Sequence, residues 1–159
     1  MKRALSYWWF KLLLAGLAGF LLIQLVPYNV DNPKARDEPA WDSPETRALA
    51  VRACYSCHSN ETKTLWFEKA APVKWYVANH VKEGRAALNF SEWSTTPGEE
   101  AHDADEPVGK SMPPSFYTYL GLHPESKLTP AEFKALIDGL KKTIAADPPA
   151  GGRGGHGGG

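Results

Sequence analysis

The stretch RACYSCHSN, residues 52–60, holds both cysteines of the 159-residue chain, with one of its five histidines directly after the second. Any fold must present these three groups close together, and three chemistries use cysteines this near: a redox dithiol, half of a zinc site, or covalent haem attachment. A thioredoxin-type pair depends on a helix N-terminus, whose dipole lowers the thiol pKa. Here a helix start is written earlier, at Ser43-Pro44-Glu45, which leaves Cys54 and Cys57 near that helix's C-terminal end, where the dipole disfavours thiolate. A structural zinc site needs four ligands and usually a second close pair. No third cysteine exists, and His80, His102, His123 and His156 are scattered. A disulfide between residues one helical turn apart gains little and leaves His58 unexplained.

Haem attachment accounts for the whole group. C-x-x-C-H is the attachment signature, and on a helical turn Cys54, Cys57 and His58 fall at i, i+3 and i+4, neighbours on one face. Two sulfurs can then form thioethers while the imidazole reaches the iron from the same side. Tyr55 and Ser56 point elsewhere.

The sixth iron ligand decides what such a group does. Of the two methionines, Met112 lies in KSMPPSF, stiffened by Pro113 and Pro114, which suits a strap holding a thioether against iron. Met/His ligation raises the haem potential relative to a bis-imidazole site. The other reading of Met112 is a core gap-filler. His80, on an apolar helix stripe, is the rival ligand, or a propionate partner, or an ordinary core histidine. His123, before a proline, is expected to cap or brace a turn. Trp75, Trp93 and Phe116 are candidates to pack on a porphyrin or simply to fill the core, and Arg85 is a candidate propionate partner.

The N-terminal block MKRALSYWWFKLLLAGLAGFLLIQLV begins basic and becomes apolar, with Gln24 the one polar residue from Leu12 to Val26. The run approaches the roughly 20 residues needed to cross a bilayer, and Lys11 is placed to snorkel. A cleaved signal peptide and a buried core helix are the alternatives. The length of the run, the lack of an A-x-A-like cleavage site in VPYNVDNP, and the flanking Trp8, Trp9 and Tyr28 favour a retained anchor. Lys2 and Arg3 would hold its start in the cytoplasm, which places everything after Val26 outside, on the far side of the membrane. Net charge is zero over the whole chain, so nothing points to nucleic acid.

These signals divide the chain into a cytoplasmic stub and anchor at 1–27, a proline- and charge-rich linker at 28–42, a folded domain at 43–146, and a glycine-rich tail at 147–159 expected to be disordered. Within the domain, one helix starts at Ser43. A second opens at Pro72 and ends near Gly84. A third is announced by the capping box Thr129-Pro130-Ala131-Glu132, with Leu128 and Phe133 placed for a hydrophobic staple. No segment shows strand alternation, so the domain is expected to be all-helical with long loops.

CYSCHSNET, then APVKWYVANHVKEGRAALNFSEW, then MPP, then LHPESKLTPAEFKALIDGL resembles the haem-binding domain family of small, membrane-anchored, cytochrome c-like bacterial proteins over roughly residues 33–144. The resemblance implies an all-α, monohaem cytochrome c fold with Cys54 and Cys57 as attachment points and His58 as axial ligand; Met112 sits where the family carries its M-P. It implies also that the helix from Ser43 packs across the helix from Pro130. TLWFEKA is less aromatic than that family's corresponding stretch, and GEEAHDADEP before Met112 is longer, which can shift the loop carrying it. The function expected is that of an electron carrier, not an enzyme, with one covalent haem c and membrane redox proteins as partners. No small-molecule substrate is expected. The acidic run Glu99, Glu100, Asp103, Asp105 and Glu106 is either a steering surface or a solvated loop. A gas or peroxide sensor or enzyme with an exchangeable sixth ligand, and a haem-stabilised respiratory assembly factor, are the alternatives.

Overall fold

The structure is a computed structural model that describes residues 2–34, 37–96, 103–118 and 123–150. Among the described residues it contains six α-helices and no strand: α1 (Lys2–Gln24), α2 (Pro44–Ala53), α3 (Tyr55–His58), α4 (Val73–Ala87), α5 (Ser115–Thr118) and α6 (Pro130–Ala146). Contacts divide the chain into two units, one of Met1–Val30 with Thr64–Asn79, the other of Asp31–Lys63 with His80–Gly159.

In the first unit, α1 contains an apolar span, Tyr7–Gln24, of 18 residues and wholly unburied by the protein, long and apolar enough to cross a membrane. At 1.5 Å per residue it is about 27 Å long, close to a bilayer's hydrocarbon thickness. Lys11 reaches back one turn, its Nζ 4.7 Å from the centre of the Tyr7 ring, the direction that snorkelling requires.

The second unit holds the core. Each expected cap is present. Ser43 Oγ accepts from the Thr46 amide at 3.2 Å, and Thr129 and Glu132 satisfy each other's backbone N–H groups. These fix where α2 and α6 begin, and therefore which faces meet. They cross at Gly139, where a Cβ would stand 2.0 Å from Thr46 Oγ1; only a residue without one lets the two backbones come this close. Leu49, Ala50, Leu136, Leu140 and Ile144 fill the crossing. Leu128 is buried in this core and Phe133 packs against it.

Two segments differ from the sequence reading. Residues 31–34 and 37–42 form no helix, as proline and charge predict, yet they are bonded to the rest of the second unit. Asp37 donates its amide to Ser91 O and accepts from Trp93 N, both at 2.9 Å, and Glu38 pairs with Arg47 at 2.6 Å. Residues 147–150, grouped by composition with the glycine tail, also pack. The Trp93 indole donates to Asp147 O at 2.9 Å, the Asp147 carboxylate accepts from Ala40 N, and Pro149 is fully buried. In both segments backbone groups find partners that composition does not reveal. The tail proper, residues 151–159, lies outside the described residues.

Candidate functional site

α2 ends at Ala53, and Cys54 departs from helical geometry with φ −118° and ψ −36° before the chain re-enters a turn as α3. Cys54 O accepts from both Cys57 N at 3.1 Å and His58 N at 2.9 Å. The i, i+3, i+4 arrangement read from the sequence is therefore present as one closed turn.

His58 Nδ1 lies 3.2 Å from the carbonyl oxygen of Leu88. A carbonyl only accepts, so Nδ1 carries the proton of this bond and Nε2 keeps its lone pair, the orientation a metal-ligating imidazole needs. Burial pushes the His58 imidazole below its ordinary range, partly opposed by backbone hydrogen bonds to Leu88 and Gly84. Burial also pushes the Cys54 thiol up, to about 12, with Cys57 adding to the effect. A thiol held protonated is poorly suited to dithiol exchange.

Cys54 and His58 open onto a cavity of about 660 Å³, within the roughly 300–1,000 Å³ usual for cofactor sites. Its walls are mainly apolar, with Leu88, Phe90 and Leu140 beside the turn, and Ala104, Val108 and Met112 from the later loop. Met112 is 38% exposed. A tight turn brings it there, for Met112 N donates to Pro107 O at 3.0 Å and Gly109 N donates to Met112 O at 2.8 Å. Gly109 has φ +77°, which an L side chain rarely adopts. Asp103, Glu106 and Lys110 also line the cavity; Glu99 and Glu100 lie outside the described residues. Together these groups offer a half-buried imidazole, a thioether and a thiol, the nitrogen and soft sulfur donors that suit a haem iron and its attachment.

Cys57 does not line the cavity; its backbone faces α4, where a Cβ on Gly84 would meet Cys57 O at 2.9 Å. His80 and His123 do not line it either. His80 meets Phe116 edge to face at 5.5 Å. His123 is buried in a brace, stacked on Tyr117 at 3.9 Å with Nδ1 3.2 Å from Glu125 Oε1, the role its position before Pro124 suggested. His102 and His156 lie outside the described residues. Trp93 is core, stacked on Phe90 at 6.0 Å, and neither it, Trp75 nor Phe116 forms part of the cavity wall. Arg85 has protein partners, donating to Ser59 O at 2.8 Å, Asn32 Oδ1 at 3.0 Å and Thr62 Oγ1 at 3.0 Å. It clasps the segment that follows the CYSCH turn.

Sequence reasoning missed the support behind the turn. Phe90 N donates to His58 O at 2.8 Å, and its ring stacks on Tyr55 at 5.6 Å. Asn60 donates its backbone N–H to Ser91 Oγ and its side-chain amide to Glu92, while Asn89 Nδ2 donates to Asn60 Oδ1 at 3.0 Å. NFSEW is thus the second half of a buried polar network whose first half is the SN after CYSCH. Small polar residues flanking aromatics in both strings are the signal that was available.

The model of one family, described as a haem-binding domain, matches residues 18–142. No curated protein and no solved structure matches the chain.

Proposed function

The chain belongs to the haem-binding domain family, and from that premise we propose that it is a membrane-anchored monohaem c-type cytochrome passing single electrons outside the cytoplasm. The observation that carries this reading is the shared cavity, in which Cys54, His58 and Met112 meet between apolar walls. Cys54, on the cavity wall, and Cys57, three residues on in the same turn, would hold the haem by adding their S–H groups across its two vinyls, an addition that needs no oxidant. His58, oriented by its bond to Leu88 O, would hold the iron through Nε2. Met112, on the same cavity wall, would hold it through its thioether. When bound, the group would supply a one-electron couple, which a thioether and an imidazole together set higher than two imidazoles would.

A haem held by both His58 and Met112 would leave no place on the iron for a substrate, which favours a carrier over an enzyme. Asp103 and Glu106 beside the cavity favour a basic redox partner at the membrane. Lys2 and Arg3 keep the start of α1 in the cytoplasm, which puts the haem unit in the periplasm of a bacterial inner membrane.

The test is the full chain produced in a host with cytochrome maturation. Its mass after denaturation should exceed that of the polypeptide by one haem. Its oxidised spectrum should be low-spin with the weak sulfur-to-iron band, and it should not take up carbon monoxide readily. High-spin haem that binds carbon monoxide would favour the sensor or enzyme reading, and a colourless protein of unmodified mass would end both.

A further inference from the structure

Gln24 is the one polar residue in the apolar run from Leu12 to Val26, and it closes the span Tyr7–Gln24. Both ends of its side-chain amide are bonded. Oε1 accepts from Ala71 N at 2.8 Å, and Nε2 donates to Ala71 O and to Phe20 O, each at 3.1 Å. The amide thus pairs with both backbone groups of one residue nearly fifty positions away, as a neighbouring strand would. Lys74 adds to the clasp, its Nζ donating to Gln24 O at 3.2 Å, where a cation caps the helix C-terminus. Both Ala71 and Lys74 are buried in doing so.

The segment held in this way carries aromatics that the protein leaves uncovered. Trp66 is 83% exposed and Tyr76 52% exposed, with Val73 between them also exposed. Trp66 is presented on a short 3₁₀ turn, Phe67–Lys69, where the Leu65 amide donates to Glu68 at 2.6 Å. A tryptophan exposed to this degree, fastened to the end of an apolar helix, has the amphipathic chemistry of a bilayer interface. Tyr7, Trp8 and Trp9 stand exposed at the other end of the same span.

We propose that Thr64–Asn79 is a membrane-interface segment, in which Trp66 and Tyr76 enter the headgroup region of the bilayer beside the end of α1, held there by the Gln24–Ala71 clasp. The occupant of the exposed aromatic surface is phospholipid. This rests on α1 being inserted. The aromatic belt that Tyr28 alone represents in the local sequence is completed from a distant part of the chain.

The experiment places p-benzoylphenylalanine singly at positions 66, 76, 51 and 13 of the full chain. Each protein is reconstituted in vesicles of phosphatidylethanolamine and phosphatidylglycerol, irradiated, and analysed for phospholipid adducts by mass spectrometry. Positions 66 and 76 should form adducts well above position 51, an exposed apolar site of the second unit, and comparable to position 13 within the span. Adducts at 13 but not at 66 or 76 would overturn the interface and leave the anchor standing; no adduct even at 13 would overturn both. Gln24→Leu, which keeps the span apolar, should remove most of the adduct at 66 while that at 13 persists. An unchanged yield at 66 would refute the clasp.

Discussion

Gly84 and Cys57 face each other so closely that a Cβ on Gly84 would lie 2.9 Å from the Cys57 carbonyl oxygen and 3.4 Å from its Cβ. Two effects of Gly84→Ala oppose each other. Alanine in a helix interior gains about 0.5–1 kcal/mol over glycine. The clash is with backbone, which cannot swing aside as a side chain can, and overpacking of this kind costs about 1–3 kcal/mol. The clash wins. Gly84→Ala should lower the denaturation midpoint and reduce the yield of haem-loaded protein, and Gly84→Val should do so more strongly. A stabilised Gly84→Ala would show that α4 does not press on the CYSCH turn.

Met112 lines the same cavity as His58 while 38% exposed. Met112→Ala should convert low-spin oxidised haem to high-spin, admit carbon monoxide to the reduced form and lower the midpoint potential. His80→Ala should leave all three unchanged, since His80 does not line the cavity. Absorbance and a spectroelectrochemical titration check both variants. The reverse pattern would give the sixth position to His80.

Phe90 is 1% exposed, stacked on Tyr55 and Trp93, and forms part of the cavity wall. Removing a buried aromatic leaves a void that the ring stack cannot fill. Phe90→Ala should cost about 3–5 kcal/mol in denaturant unfolding of the haem-loaded protein, and Phe90→Leu distinctly less. A loss near zero would mean that the stack is not part of the folded core.

Glu132 is held at about 2, below its ordinary 4.5, first by its bond to the Thr129 backbone N–H and then by the Arg52 guanidinium 2.6 Å away. A carboxylate depressed in the folded state stabilises above its unfolded value, and that contribution fades as pH falls from 4.5 towards 2. Glu132→Gln keeps the shape of the capping box and removes the charge. The wild type should melt above this variant at neutral pH, with the difference shrinking below pH 4.5 and vanishing near pH 2. A difference independent of pH would assign the effect to shape instead of charge.

Much of this was legible because it is local. Ser43-Pro44 and the Thr129 capping box write helix starts in consecutive residues, and C-x-x-C-H writes a turn in five. The rest depends on residues far apart in the chain. The proton on His58 is fixed by Leu88 O, a backbone group with no sequence signature. Arg85 looked free for a propionate because Asn32 and Thr62, which accept from it, lie 53 and 23 residues away. Phe90 was overlooked in favour of Trp93, the larger ring, though it is Phe90 whose amide is tied to His58 O. Residues 31–42 carry the composition of a spacer, and only their pairing with 91–94 and 147 reveals otherwise.

That pairing has a practical corollary for anyone trimming the anchor away. A soluble version begun at Ser43, where the first capped helix starts, would strip Asp37 from Ser91 and Trp93 and Glu38 from Arg47. It would uncover the far side of the very network that steadies the CYSCH turn. Starting at Asp31 keeps that brace, so the safer cut lies a dozen residues ahead of where the helices invite it.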